Sequence, residues 1–299
     1  MSRVKAPNIS VIMSVFNGGS YIARALLSIL AQTYDDFEVI LIEDGSTDHT
    51  AEVISKIRDG RVKLIHQENS GLTKSLNRAL ELSRGKWIAR HDADDFSIST
   101  RFEQQIDFLN KNPSVGFLGS NCFIQPESHG IINEIYDYPE LNDEIKAAFP
   151  FYNPFVHGST IIRRDLLVDN SGYDESYRYV QDYELWSRIL PKSDVHNLST
   201  PLYVRSVHAS TSQVTIDKTP IFNEIRDKYL GRVGETVNVN AEDIRQINSL
   251  SVYPILHSVK YWNKSISDTL IKVSNLSKKF SLPWLKFRAQ AFLYCPWRF

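Results

Sequence analysis

The chain is poor in several features that would assign it to a specialised class of proteins. It has only two cysteines among 299 residues, Cys122 and Cys295, which gives no disulfide framework and suits a reducing compartment. No apolar run approaches the ~20 residues that a membrane-spanning helix needs, and the first residues carry no apolar signal-peptide core. We therefore expect a cytoplasmic protein.

Excess charge of one sign is also absent, since the formal net charge is −1, and we expect no nucleic-acid partner. The C-terminal segment 260–299 is the exception, with eight Lys and Arg, one acidic residue (Asp268) and nine aromatic residues. Basic residues beside Trp and Phe favour peripheral contact with the inner face of the cell membrane. The alternative is a helical appendage whose aromatic side chains pack on the main domain.

The first half of the chain alternates between strand-like and helix-like patterns. Apolar runs of strand length cover 9–16, 37–42, 62–65 and 87–89. Apolar residues at helical spacing separate these runs. Ser20 is a candidate cap for the first helix, and Thr100 with Glu103 fits a capping box. This alternation predicts an α/β fold, with a mostly parallel sheet covered by helices on both faces.

The alternation ends near residue 115. Strands are predicted over 115–124, 159–162, 195–198 and 202–207, and a helix over 182–190. Beyond residue 213 the pattern is helical. We therefore predict a nucleotide-binding and catalytic domain over 1–215 and a helical, basic and aromatic extension over 216–299.

Three carboxylates stand together in Asp92-Ala93-Asp94-Asp95, directly after a predicted buried strand. Carboxylates this close repel each other unless a cation offsets their charge, and Mg²⁺ and Mn²⁺ prefer such oxygen ligands. A solvated acidic turn is the alternative. Parallel sheets bind ligands outside the carboxyl ends of their strands, which is where Asn17, Asp44 and Asp92–Asp95 all fall.

Several motifs, taken in order along the chain, carry a more specific signal. They occupy 10–17 (Ser-Val-Ile-Met-Ser-Val-Phe-Asn), 39–48 (Val-Ile-Leu-Ile-Glu-Asp-Gly-Ser-Thr-Asp), 69–72, 87–95, 172–175, 181–186 and 203–208. The series resembles the family 2 glycosyltransferases, nucleotide-sugar-dependent enzymes with the GT-A fold, and especially bacterial members that assemble surface polysaccharides. The resemblance covers about residues 8–212.

The resemblance implies a role for each group of residues at the donor site. Val15, Phe16 and Asn17 would hold the nucleotide base, and Asp44 would accept a hydrogen bond from uracil N3–H; the alternative for Asp44 is a turn residue that caps the next helix. Asp92, Ala93 and Asp94 correspond to the family's DxD element, with Asp92 and Ala93 beside the nucleotide.

A cofactor, Mn²⁺ or Mg²⁺, is implied as well. Its direct ligand would be Asp94, or Asp95 in a shifted register. His208 matches a histidine that approaches the metal or diphosphate, although a lone histidine is also common as an ordinary surface or core residue.

For catalysis, the resemblance makes Asp182 the general base, although the family's usual Glu-Asp pair reads Gln181-Asp182 here. The structural alternative is that Asp182 is only the N-cap of its helix. His157 would lie near the acceptor, and Arg205 could pair with phosphate.

These residues predict an inverting, metal-dependent glycosyltransferase that uses a nucleotide-sugar donor, most simply a UDP-sugar. Its partner would be a saccharide acceptor, lipid-linked through a polyprenyl carrier, in cell-surface polysaccharide synthesis. One rival is a sugar-nucleotide pyrophosphorylase, but Asn17-Gly18-Gly19 lacks the basic residue that an incoming triphosphate requires. Another is a catalytically inactive saccharide-binding protein. A dinucleotide site is excluded because no Gly-x-Gly-x-x-Gly follows the first strand.

Overall fold

The computed structural model describes residues 6–126, 134–136, 138–208 and 217–237. Its strands are β1 Ile9–Val15, β2 Phe37–Glu43, β3 Val62–His66, β4 Trp87–Arg90, β5 Phe96–Ser97, β6 Val115–Pro126, β7 Glu134–Tyr136, β8 Ile161–Arg163 and β9 Asp194–Val207. Its helices are α1 Ile22–Leu30, α2 Thr50–Ser55, α3 Leu72–Leu82, α4 Arg101–Lys111, α5 Asn142–Ala148, α6 Arg164–Asp169, α7 Gln181–Ile189 and α8 Thr219–Val237.

The strands of the described residues form one mixed sheet in the order β3-β2-β1-β4-β8-β6-β9-β5, with β7 beside β6. The first four strands are mutually parallel, as the alternating pattern predicts. The sheet then changes direction, because β8 runs antiparallel to both β4 and β6. The carboxyl ends of β1, β2 and β4 therefore share one edge, here called the rim.

Helices cover both faces of the parallel part of the sheet, as expected. On one face, alternate residues of β1 (Ile9, Val11, Met13 and Val15) join buried side chains of α1, α2 and α4 in a single hydrophobic core. Helix α3 contacts the same strands, but its buried Leu76 and Ala79 lie outside that core, which puts α3 on the opposite face.

Two strand predictions in the second half need correction. Segments 195–198 and 202–207 are parts of one strand, β9, because both pair with β6 and a register shift absorbs the residues between them. The strand predicted from residue 159 begins at Ile161. Ser159 and Thr160 instead bond their hydroxyls to the carbonyls of Val156 and His157, closing a 3₁₀ turn.

The predicted cap at Ser20 is wrong, whereas Thr100 does occupy the N-cap position of α4 without forming the predicted capping box. Ser20 does not cap α1; the turn is closed by the carbonyl of Gly18, which accepts the amides of Tyr21 and Ile22. Thr100 does precede α4, but it makes no side-chain cap bond. Glu103 instead accepts a 2.7 Å hydrogen bond from the hydroxyl of Thr33. At α1 a neighbouring backbone carbonyl closes the turn, whereas at α4 a residue 70 positions away binds the Glu103 carboxylate.

The described residues divide into two compact units, one within 6–140 and 155–217, the other comprising 141–154 and 218–237. Every predicted site residue lies in the first unit. In the second, Phe149 packs against Tyr229, whose hydroxyl bonds to the carbonyl of Lys146. Among the described helices, none has the length and apolar character that crossing a membrane requires. The boundary near residue 215 stays a prediction, and the basic segment 260–299 lies outside the described residues.

Candidate active site

The loops that follow β1 and β2 are joined to each other at the rim. Asn17 lies in the left-handed region at φ 52°. Its side-chain oxygen accepts a hydrogen bond from the backbone amide of Thr47 at 2.8 Å, and its backbone amide donates to the hydroxyl of Ser46. The amide of Gly18 bonds to Thr50, and that of Gly19 bonds to Asp48. Asn17 therefore shapes the rim through internal bonds.

Val15 and Phe16 precede these bonds and differ in exposure. Val15 is buried, and its carbonyl accepts the amide of Asp44 at 2.9 Å, while the Phe16 ring is 51% exposed. An exposed aromatic ring at the carboxyl edge of a parallel sheet is available to a planar ligand.

Asp44 is buried at the end of β2, beneath the loop that leads into α3. Its carboxylate accepts the amides of Ser70 and Gly71 at 3.0 and 2.9 Å, together with a bond from the side chain of Gln67. Burial opposes ionisation, but these bonds hold the pKa of Asp44 below its ordinary value. The carboxylate thus fixes the loop 67–71. It does not cap α2, where Asp48 accepts the amide of Thr50.

Asp92 is paired with Arg90, a residue that sequence reasoning missed. The Arg90 guanidinium is buried and bonds to both the Asp92 carboxylate and the carbonyl of His91. Burial alone would raise the pKa of Asp92, but Arg90, aided by His157, His91 and Arg205, holds it below its ordinary value. The signal was an arginine inside an apolar strand, since a buried charge needs a partner.

The next two carboxylates have different surroundings. Asp95 is buried and accepts the amide of Ser206 at 2.7 Å. Its burial, with the charges of Asp92 and Asp94 nearby, raises its pKa well above the ordinary value. Asp94 has a side chain that is 38% exposed, and its Oδ2 lies 3.0 Å from Nε2 of His208. Ala93, between the acids, packs partly buried against the main core.

The Asp94–His208 pair brings together residues 114 positions apart in the chain. A carboxylate oxygen and an imidazole nitrogen are donors that Mn²⁺ accepts. No group of three or more such side chains with the geometry of a metal site occurs within the described residues. Two protein ligands match the common case in which substrate phosphates and water complete the coordination, so the donor set fits a divalent cation.

A second cluster surrounds His157. Its Nε2 lies 2.8 Å from the hydroxyl of Tyr173, and its ring meets Trp186 edge to face. Desolvation and the positive charge of Arg90 lower the pKa of His157 to about 4, so the imidazole is neutral at pH 7. The negative charges of Asp182 and Asp92 act on the pKa of His157 in the opposite sense, so both carboxylates are near enough to interact with this cluster.

Asp182 occupies the second position of α7. The N-cap position belongs to Val180, and it carries no side-chain cap bond, so the interpretation of Asp182 as an N-cap is wrong. Val180 has φ 55°, a conformation that a β-branched residue rarely adopts and that costs about 1–3 kcal/mol. The turn at Val180 leads directly into α7, and the charge of Asp182 in its first turn interacts with His157 and Tyr173.

Arg205 is exposed on β9, and its charge helps to lower the pKa of Asp92. The structure therefore links Asp92, His157, Asp182 and Arg205 electrostatically, and it pairs Asp94 with His208. Val15, Asn17 and Asp44 lie at the neighbouring strand ends of the same rim.

The chain is similar to known proteins in sequence and in fold. Residues 10–170 match the sequence model of glycosyl transferase family 2. An uncharacterised glycosyltransferase of Haemophilus influenzae is 32% identical over 96% of this chain and 93% of its own length. The chain belongs to glycosyltransferase family 2.

Two further similarities extend the comparison. The O-antigen biosynthesis glycosyltransferase WbnJ of Escherichia coli is 33% identical over 69% of this chain and 82% of its own. S. aureus TarS in complex with UDP-GlcNAc has a TM-score of 0.66 at 18% identity, over 93% of this chain and 83% of that chain. The fold is therefore GT-A, and the protein is a glycosyltransferase, which removes the pyrophosphorylase alternative.

Proposed function

We propose that this glycosyltransferase moves a sugar from a nucleotide-sugar to a hydroxyl of a saccharide acceptor, with inversion at the anomeric carbon and dependence on a divalent cation. The observation that carries the proposal is the Asp94–His208 pair on the same rim as the cluster of Asp92, His157 and Asp182. The Asp94–His208 pair would supply the cation ligands, and the cluster around His157 would supply the Asp182 carboxylate for proton transfer.

Asp94 and His208 would hold the cation. Asp94 is the better carboxylate ligand, because Asp95 is buried and already accepts the amide of Ser206. A bound Mn²⁺ or Mg²⁺ would offset the charge that develops on the departing nucleoside diphosphate. Arg205, exposed nearby, adds a second positive charge for the phosphates.

Asp182 would act as the general base. The acceptor oxygen attacks the anomeric carbon from the face opposite the nucleotide, its proton passes to the Asp182 carboxylate, and the bond to the diphosphate breaks. His157 is neutral at pH 7 and lies beside Tyr173, so the two can orient acceptor hydroxyls without competing for that proton.

The donor we propose is a UDP-sugar. Support comes from the exposed Phe16 ring, which offers a face for the base, and from the complex of TarS with UDP-GlcNAc. Asp44 is buried beneath the loop 67–71, so that loop would have to move aside before its Oδ2, which accepts the amide of Gly71, could also accept uracil N3–H.

The acceptor we propose is a lipid-linked saccharide of a cell-surface polysaccharide. Support comes from the similarity to WbnJ, named for O-antigen biosynthesis, and from the basic, aromatic composition of residues 260–299. In this proposal the protein works in the cytoplasm and contacts the membrane peripherally through that segment.

The test is release of free nucleotide from a panel of UDP-, GDP- and TDP-sugars, with and without saccharide acceptors. One UDP-sugar should be turned over, and an acceptor should accelerate nucleotide release. EDTA should stop the reaction, and added Mn²⁺ or Mg²⁺ should restore it. Full activity in metal-free buffer contradicts the cation requirement, and turnover of GDP- or TDP-sugars alone contradicts the donor assignment.

A further inference from the structure

Two side chains at the start of α1, those of its N-cap residue Tyr21 and of Arg24, lie outside every motif of the family resemblance and contact Asp94 or His208. We propose that Tyr21 and Arg24 are positioning residues that hold Asp94 and His208 at the separation a divalent cation requires. This inference rests on the cation site of the proposed function. It adds two residues that act through the cation ligands Asp94 and His208.

Arg24 connects the segments that carry the two ligands. Its guanidinium donates to the backbone carbonyl of Asp94 at 2.9 Å and to the hydroxyl of Ser206 at 2.7 Å. The first bond restrains the backbone of one ligand, and the second restrains β9 two residues before the other, His208. One side chain therefore connects two segments that are far apart in sequence, the turn that contains Asp94 and the end of β9.

The position of Arg24 is itself restrained. Its guanidinium also donates to the side chain of Gln125 at 3.1 Å and lies 4.9 Å from the centre of the Phe96 ring. Exposed arginines on helices are usually free to move in solvent, whereas this one makes three hydrogen bonds and a ring contact. A planar guanidinium can make these bonds together, and the single ammonium of lysine cannot reproduce them all.

Tyr21 restrains the second ligand directly. Its ring stacks on the imidazole of His208, with centroids 4.3 Å apart and planes 16° from parallel. Stacking fixes the plane of the imidazole and therefore the direction in which Nε2 points, toward Asp94. Tyr21 and Arg24 are three positions apart, so they lie on the same face of the helix.

Mutation of a residue that contacts a metal ligand, but not the metal itself, typically changes metal affinity by about 10–100-fold. The experiment measures the Kd of Mn²⁺ for the full chain by electron paramagnetic resonance of free Mn²⁺, with and without UDP. The variants are Arg24→Gln and Arg24→Lys, together with Tyr21→Ala and Tyr21→Phe. Arg58→Gln is the matched control, because Arg58 is an exposed arginine outside the rim.

We expect Arg24→Gln and Tyr21→Ala to weaken Mn²⁺ binding by about 10-fold or more. Arg24→Lys should recover only part of the loss, whereas Tyr21→Phe keeps the stacked ring and should bind like wild type. Arg58→Gln should also bind like wild type. A circular dichroism melt of each variant checks that the folded state is retained.

The outcomes separate this inference from the proposed function. If wild type binds Mn²⁺ and both Arg24→Gln and Tyr21→Ala bind it equally well, the positioning role is overturned while the cation site survives. If wild type fails to bind Mn²⁺ even with UDP, both are overturned. If Arg24→Gln does not fold, the comparison of Tyr21→Ala with Tyr21→Phe decides alone, since they differ in the ring that stacks on His208.

Discussion

Replacing Asp182 with asparagine separates a catalytic carboxylate from a structural one. Asp182→Asn keeps the size and hydrogen-bonding shape of the side chain but removes its negative charge and its ability to accept a proton. Asp182 lies in the first turn of α7, where a negative charge interacts with the helix dipole by about 0.3–1 kcal/mol. For a chain of this size, that loss lowers the melting temperature by only about 1–4 °C.

The expected effect on catalysis is much larger. Losing a positioned general base slows the chemical step by about 10²–10⁴-fold, which raises the barrier by about 2.7–5.4 kcal/mol. The assay is the single-turnover rate of sugar transfer, recorded with the donor Kd and the melting temperature. The donor Kd should stay near the wild-type value, because in this mechanism Asp182 faces the acceptor.

Asp165→Asn is the matched control. Asp165 also occupies the second position of a helix, α6, but its side chain is 60% exposed and paired with Arg163. Its substitution should lower the melting temperature by a similar amount and leave the transfer rate unchanged. A near-wild-type rate for Asp182→Asn would falsify the role of Asp182 as base. Retention of the donor's anomeric configuration, measured by NMR of the product, would refute the single-displacement mechanism itself.

Three further predictions follow from the same site and from the C-terminal segment. Asp94→Ala should weaken both nucleotide affinity and turnover, because the cation that Asp94 would hold also binds the diphosphate. Asp107→Ala, which changes an exposed carboxylate of α4, is the control. If both variants bind the nucleotide as tightly as wild type, the ligand assignment is contradicted. His157 has a folded-state pKa of about 4 against an ordinary 6.5. Its contribution to the free energy of unfolding should therefore be complete above pH 6.5 and be lost as the pH falls toward 4. Urea unfolding of His157→Gln should show a shallower slope, the remainder coming from groups such as His91, whose pKa burial lowers to about 3. An identical slope in both proteins would exclude a contribution from His157. The full chain should co-sediment with anionic liposomes at low salt and be released at high salt, and a truncation after residue 258 should not bind them. If the full chain does not bind, packing of segment 260–299 on the protein is favoured over membrane anchoring.

Much of the fold was predictable because local patterns encode it. Apolar runs of strand length and helical spacing predicted the first four strands and the presence of helices between them, and the strand bounds agree to within one residue. The first strand, for example, was expected over 9–16 and spans Ile9–Val15. Because parallel strands align their carboxyl ends, the same patterns also predicted that Asn17, Asp44 and Asp92 would meet at one edge.

The details that depend on distant contacts were not predictable in this way. Thr100 and Glu103 fit a capping box locally, yet Glu103 accepts a hydrogen bond from the hydroxyl of Thr33, 70 positions away. The two strands expected near the end of the domain are one, because a single long partner strand, β6, pairs with both parts.

For the candidate site, too, the sequence indicated some features and only the tertiary structure decided others. The sequence itself indicated three acids with a cation role, and the family resemblance added the expectation of a base at Asp182 and of a histidine near the metal at position 208. Only the tertiary structure distinguished Asp95, which accepts an amide of β9, from Asp94, whose carboxylate faces His208. The physical reason is that neighbouring residues in a sequence share chemistry but not surroundings. Burial and hydrogen-bond partners depend on segments that meet only when the sheet is complete, and these decide which carboxylate is available to a ligand.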